Sequence, residues 1–265
     1  MSVFTDVYAV GHPNPDPNVP EKLETNFESA AAKRADNAVE VADSLMKNRF
    51  SCRWYLPKPV EKETIEAIID AARCAPSGNN MQPWEKVYCI SGAVKDAISR
   101  ELVEGNTTHP EAYSGQYHYY PTGPIPPVYA KRRFDFGKYF YAPLHVDHGD
   151  LKARARVSVR NYEFFNAPVA FIFTINNALT QGSWMDLGYF LQSITIAARA
   201  RGLETISQES TARYQLILRK HLPIGDNEIV ALGMTMGYPD LDKIAEFTAK
   251  QPKREVSDII EFFGI

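Results

Sequence analysis

Apolar positions along the chain change period several times, and each change marks an element. Between residues 36 and 48, Val39, Val41, Leu45 and Met46 approximate a helical stripe. From about Glu61, Ile65, Ile68, Ile69 and Ala72 recur at i, i+3, i+4 and i+7, which predicts a second helix ended by Pro76. Residues 87–90 have the short apolar run of a strand, and residues 94–104 read as helix. Residues 168–175 form a continuous β-rich run, apolar but for Thr174, as expected of a central strand covered on both faces. The clearest helix follows, with Leu187, Phe190, Leu191, Ile194 and Ala198 on one stripe and Gly202 as its C′ residue. A strand at 203–206, a helix near 211–221 and a strand at 228–236 complete a β, α, β, α, β alternation. The pattern predicts an α+β fold in which a central mixed β-sheet is covered by helices.

Two stretches lack a sustained period. Residues 1–35 carry the run from His12 to Pro17, with alternate prolines, and read as an N-terminal arm of extended chain. Residues 105–165 are rich in Tyr, Pro, Gly and His and read as a lid inserted into a domain spanning 36–265.

Composition narrows the class. The 265 residues carry 29 Lys plus Arg against 32 Asp plus Glu, a net charge of −3 without a basic block, so a general nucleic-acid binder is not expected. The most apolar run, 167–175, is far shorter than a bilayer span and the first 20 residues hold no apolar signal core, so neither membrane insertion nor export is expected. Cys52, Cys74 and Cys89 are odd in number and lack C-x-x-C spacing, which argues against a disulfide framework or zinc site and suits a reducing cytoplasm. Aromatics make up 12% of the chain, and half of the 14 tyrosines fall between Tyr113 and Tyr141.

Three segments carry candidate chemistry. In an extended run, Arg49, Ser51 and Arg53 share one face while Phe50, Cys52 and Trp54 share the other. Two guanidinium forks and a hydroxyl on one side suit a phosphate monoester; an edge strand with solvated arginines is the plain alternative. In the second segment, 76–84, Pro83 pushes Gln82 toward extended geometry and Gly78 permits a sharp turn, which presets the directions of Ser77, Asn80 and Gln82. Carboxamides both donate and accept, matching the mixed edge of a flavin's pyrimidine ring; an ordinary helix-to-strand loop is the alternative. The third segment runs from Gly202 through Ser207, Gln208, Glu209 and Ser210 into a helix, where consecutive backbone N–H groups can face a ligand atom, or Ser210 simply caps the helix.

Taken together, residues 49–53, 76–84, Trp184-Met-Asp-Leu-Gly188, Gly202-Leu203 and Gly237-Tyr-Pro-Asp240 resemble the FMN-dependent nitroreductases from about Val39 to the C-terminus. Tyr119-Tyr-Pro121, residues 132–137 and residues 160–168 are similar to the branch that contains 4-nitrobenzoate reductases. The resemblance implies a domain-sharing obligate homodimer with noncovalent FMN at the interface. It implies that Arg49, Ser51 and Arg53 hold the ribityl phosphate, joined by Arg254, with Phe50 and Pro76 also at the cofactor. Ser77, Gly78 and Asn80 would come from the partner subunit and Gln82 would sit near the pyrimidine edge. Ser207, Gln208, Glu209 and Ser210 would pass the N5 side, with the Glu209 N–H near N5. Ser207 departs from the family pattern, in which Pro is frequent there, and so does the run from Lys250 to Lys253.

The implied activity is two-electron transfer from NADH or NADPH through flavin N5 to nitroaromatic and quinone acceptors, with no catalytic side chain required. Tyr119, Tyr120 and Phe140 are the candidate contacts for a small planar aromatic substrate. The same fold also admits reductive dehalogenation, enoate reduction, dehydrogenation, or flavin binding without turnover. His145, Asp147, His148 and Asp150 have a spacing compatible with a metal but no supporting ligand set, so no metal is expected. No dinucleotide fingerprint or nucleophile elbow occurs.

Overall fold

A computed structural model describes residues 33–147 and 149–265; most of the N-terminal arm, and His148, lie outside them. The chain divides into two units, 1–43 and 44–265. In the first, the described residues carry the opening turns of helix α1 (Ala38–Lys47), with Val39 and Val41 exposed.

The second unit is built on four strands, β1 (Trp84–Ser91), β2 (Val169–Asn176), β3 (Glu204–Gln208) and β4 (Glu228–Gly237), in the spatial order β1-β2-β4-β3. All three ladders are antiparallel, so the mixed pairing expected from the alternation is not found among the described residues. The reason is an insertion. Helix α6 (Gln181–Arg199) carries the chain from β2 to β3, which run the same way, but β4 slots between them antiparallel to both.

β2 is buried along its length up to Asn176 because both faces are covered, as its continuous β-rich run predicts. Val169, Phe171, Phe173 and Ile175 face α2 (Lys62–Ala72) and α6, where Ile68, Leu187, Phe190, Ile194 and Ala198 are buried. Ala170 and Ile172 face α3 (Gly92–Thr108) and α7 (Gln215–His221), where Ile98, Leu102, Ile217 and Leu218 are buried. Each buried Val, Leu, Ile or Phe side chain among these contributes about 1.5–3 kcal/mol. α6 ends as read: Gly202 has φ +73°, its N–H bonds to the Arg199 carbonyl at 3.0 Å, and the Leu203 N–H reaches the Ala198 carbonyl at 3.1 Å. This is the Schellman pairing that glycine at C′ permits.

The expected helix at 211–221 begins instead with a 3₁₀ stretch, Glu209–Tyr214, before α7. Residues 105–165 are more regular than their composition suggests. They contain the end of α3, then α4 (Pro127–Tyr141) and α5 (Leu151–Val159), none of whose residues in α4 or α5 is buried. The chain closes with α8 (Leu241–Phe247) and a tail that is exposed from residue 252 onward.

Candidate active site

Residues 49–56 run along the outer edge of the sheet. The Cys52 N–H donates to the Thr205 carbonyl on β3 at 3.1 Å, Leu56 N–H to the Tyr238 carbonyl at 2.9 Å, and Asp240 N–H to the Trp54 carbonyl at 3.1 Å. Cys52 points into the interior, fully buried, and burial pushes its thiol up to about 12, so it stays protonated. Tyr55 is likewise buried, its hydroxyl bonded to the Cys52 carbonyl and to Thr235 Oγ1, each at 3.0 Å.

With Cys52 inward, Ser51 and Arg53 face outward, and with Arg49 they line a cavity of about 670 Å³. The expected alternation is incomplete, since Phe50 and Trp54 line it too. Among the described residues the segment is held by an isolated bridge of Tyr55 to Pro239 and by no longer ladder, so strict twofold alternation is not enforced.

The cavity is cationic and aromatic. The Arg53 guanidinium lies 4.7 Å from the centre of the Phe140 ring and donates to the Ser51 carbonyl at 3.2 Å. Arg160 stacks on Trp54 at 3.7 Å and donates to the Arg53 carbonyl at 2.6 Å. Burial lowers the pKa of both arginines, and Arg160 lowers that of Arg53 further by like-charge repulsion. Arg132, Lys250 and Lys253 also line the cavity. Asp135 is the carboxylate among its lining residues, and it already pairs with Lys131 at 2.5 Å. Crowded, partly desolvated guanidinium groups without a matching carboxylate fit a multiply charged anion such as a phosphate monoester.

The loop between α2 and β1 has a different geometry from the one expected. Positive φ falls on Asn79 (52°), Asn80 (54°) and Gln82 (47°), and Gly78 is not among the positive-φ residues. Asparagine tolerates that region, so Gly78 is not needed for the turn. Gln82 is not extended: proline disfavours the right-handed helical region for it, and the chain escapes to the left because its N–H turns back to Ser77 Oγ at 2.9 Å. The Gly78 N–H donates to Asp186 Oδ2 on α6 at 3.0 Å, and Gln82 Nε2 reaches the Asn80 carbonyl at 3.3 Å. Pro76, Gly78, Asn80 and Gln82 are exposed and Ser77 half-buried, and none of them lines this chain's cavity.

Residues 207–210 lie where β3 becomes the 3₁₀ turn, as the reading of a strand end requires. Ser207 is exposed. Gln208 is buried, its Nε2 bonded to the Asn161 carbonyl at 2.5 Å while its Oε1 has no partner among the described residues. Glu209 neighbours the lid tyrosines: it accepts a hydrogen bond from Tyr120, and burial followed by the Glu209 charge pushes that phenol up to about 12.

Tyr119 and Tyr120 pack edge to face at 4.8 Å, each 59% exposed. Their root is fixed at the part of β4 that the short β3 leaves unpaired. There Gln116 accepts from the Val230 N–H at 3.0 Å and donates to the Glu228 carbonyl at 3.3 Å, and the Tyr117 hydroxyl donates to the Ala231 carbonyl. Phe140 sits apart from this pair, in the cavity wall under Arg53. Arg254 does not line the cavity; it donates to the Asp258 carbonyl, and Lys253 takes the inward place.

Sequence reasoning assigned no role to Arg160 or Asp186. The usable signal for Arg160 was a lone cation beside Tyr162, Phe164 and Phe165, all of which are buried. For Asp186, nothing in the spacing links it to a loop more than 100 residues away.

This α+β fold, with its edge segment and helix-anchored loop, is the nitroreductase fold. Residues 46–238 match the model of the Nitroreductase family, and the chain belongs to that family. A 4-nitrobenzoate reductase from Pseudomonas putida is 35% identical over 222 residues, covering 84% of this chain and 95% of that protein. A nitrobenzene nitroreductase from Ectopseudomonas oleovorans is 33% identical over 220 residues, covering 83% and 96%. The solved structure of the FMN and NADPH-dependent nitroreductase NfnB from Sphigopyxis sp. strain HMH aligns with a TM-score of 0.80 at 28% identity, covering 84% of this chain and 99% of that one.

Proposed function

We propose that the protein is a cytoplasmic, homodimeric, FMN-dependent NAD(P)H oxidoreductase that reduces nitroaromatic acceptors, and quinones, in two successive two-electron half-reactions. The observation that carries this reading is the cavity in which Arg49, Ser51 and Arg53 meet further cations without a free carboxylate. Family membership and the named activities of the relatives support it. Residues 36–265 would form the flavin domain, 105–165 its lid and 1–35 an arm.

When bound, FMN supplies reversible hydride chemistry that the nicotinamide donor and the acceptor use in turn. Arg49, Ser51 and Arg53 hold the phosphate, with Phe140 and Trp54 as flat supports for the guanidinium groups. Residues 207–210 lie at a strand end, where their backbone N–H groups, that of Glu209 among them, would donate to the flavin ring. Tyr119 and Tyr120 cover the acceptor and exclude water. Ser77, Gly78, Asn80 and Gln82 serve the site of a second copy, which agrees with the exposure of Gly78, Asn80 and Gln82 here. Met81 (50% exposed), Met185 (66%) and Tyr189 (54%), near the same loop and helix, give that copy apolar surface to cover.

The test is the colour and released cofactor of the purified protein, followed by anaerobic bleaching with NADPH or NADH and recovery with a nitroaromatic. Yellow protein that releases FMN and cycles in this way is expected; a folded, colourless protein that FMN does not reconstitute contradicts the proposal.

A further inference from the structure

Phe164, Phe165 and Asn166 are three consecutive residues in the left-handed region, with φ of 49°, 49° and 56°. Asparagine visits that region readily and phenylalanine does not, so two such phenylalanines in a row persist only where the surroundings over-determine them. Two cores do so here. Phe164 is buried with Ile98, Ile172 and Tyr214, and Phe165 with Cys52, Tyr55 and Ile206.

This turn fixes the main chain of Arg160, the residue that follows α5. The Phe165 N–H donates to the Arg160 carbonyl at 2.9 Å, and the buried Gln208 side chain donates to the carbonyl of the next residue, Asn161, at 2.5 Å. Arg160 then lays its guanidinium 3.7 Å from the centre of the Trp54 ring and 5.4 Å from that of Phe165. Its Nη2 donates to the Arg53 carbonyl at 2.6 Å, and Arg53, Trp54, Arg160 and Phe165 all line the cavity. The bond goes to the main chain of a second arginine rather than to a carboxylate, which sets two like charges side by side, an arrangement that an anion in the cavity would relieve.

We infer that Arg160 is a positioning residue: stacked on Trp54 and bonded to the Arg53 carbonyl, it holds the edge segment so that the Arg53 guanidinium is aimed at a phosphate monoester in the cavity. The inference rests on the reading of this cavity as a flavin-phosphate site. A guanidinium suits the task because its face can stack on a ring while its edge donates in the ring plane, which an ammonium cannot do.

The experiment compares dissociation constants of FMN and riboflavin for the full-chain apoprotein by fluorescence quenching, in wild type, Arg160→Met, Arg160→Lys, Arg53→Ala and the variant that combines Arg160→Met with Arg53→Ala. Methionine keeps an unbranched stem over Trp54 but has neither charge nor donor, and circular dichroism verifies the fold. Riboflavin lacks the phosphate, so loss of general integrity weakens both ligands, whereas loss of positioning weakens FMN alone. The expected result is a fall of about tenfold or more in the preference for FMN over riboflavin in Arg160→Met, the scale of a hydrogen bond to a charged group. Arg160→Lys should recover it only in part, and Arg160→Met should cause no further fall when Arg53 is already Ala. An unchanged preference in Arg160→Met, full recovery in Arg160→Lys, or an equal fall in the Arg53→Ala background overturns the inference while leaving the flavin reading intact. If the wild type binds neither ligand, the flavin reading fails and the inference falls with it.

Discussion

The Gly78 N–H donates to Oδ2 of Asp186 at 3.0 Å, tying the loop before β1 to the first turns of α6. This bond fixes where Ser77 and Asn80 project. Replacing Asp186 by Ala should free the loop and weaken FMN binding by about 1–2 kcal/mol, the range for a bond to a charged acceptor in partly exposed surroundings. Asp186→Asn should recover about half. Titration of the apoprotein with FMN checks this, and affinity unchanged in Asp186→Ala would remove the loop from the site.

Gly233 on β4 faces Thr211: a Cβ there would stand 2.7 Å from Thr211 Oγ1 and 3.1 Å from Cγ2. Thr211 is fully buried and bonded to the Gln208 carbonyl at 2.9 Å, so it cannot retreat. Gly233→Ala should therefore destabilise the protein by about 1–3 kcal/mol through overpacking and displace the 207–210 turn. Thermal melting of the holo- and apoprotein should show the larger loss in the holoprotein.

Glu101 on α3 bonds to Lys220 Nζ at 2.9 Å and His221 Nε2 at 2.8 Å on α7. The hydrogen bond from Lys220 is the main cause that holds its carboxyl below the ordinary value. A depressed carboxylate gives stability that is present above the unfolded-state pKa, about 4.3, and is lost as pH falls through the folded-state value. Because these groups are partly exposed, the contribution is about 0.5 kcal/mol. Denaturant unfolding at pH 7 and at successively lower pH should show Glu101→Gln less stable than wild type at pH 7, with the gap closing as pH falls below the ordinary carboxylate range.

The lid tyrosines should govern the acceptor half-reaction. Tyr119→Ala and Tyr120→Ala, measured by stopped flow with a charged and an uncharged nitroaromatic, should slow flavin reoxidation several-fold and leave reduction by the nicotinamide within about twofold, since roughly 1 kcal/mol of aromatic contact is lost on one side only. Phe140→Leu should act differently, lowering FMN retention, because its ring supports Arg53. Equal effects on both half-reactions would make the tyrosines scaffold.

The sequence was legible where burial enforces a period. Leu187, Phe190, Ile194 and Ala198 are at most 1% exposed, and their stripe on α6 was read correctly, as was the doubly covered β2. α4 was missed because it buries no residue; its aromatics pack on one another and on cations, as Phe136 does on Phe140 at 5.5 Å, and leave no stripe. The pairing of β4 between β2 and β3 is a long-range choice that no local pattern encodes. In the site, the placing of Arg49, Ser51 and Arg53 is readable in part from alternation about buried Cys52, which Phe50 and Trp54 break by lining the cavity too. Arg160 was not, because its role depends on Trp54, more than 100 residues away in sequence.

Arg53, supported by Phe140 and neighboured by Arg160, is the residue proposed to grip the phosphate of FMN. The most direct measurement is the FMN binding isotherm of apoprotein with Arg53 intact and replaced by Ala. Loss of about 1.5–3 kcal/mol, the scale of a hydrogen bond to a charged group, is the predicted result, with only partial rescue by Lys. FMN affinity unchanged in Arg53→Ala would make these arginines a solvated sheet edge and rule out a phosphate site here.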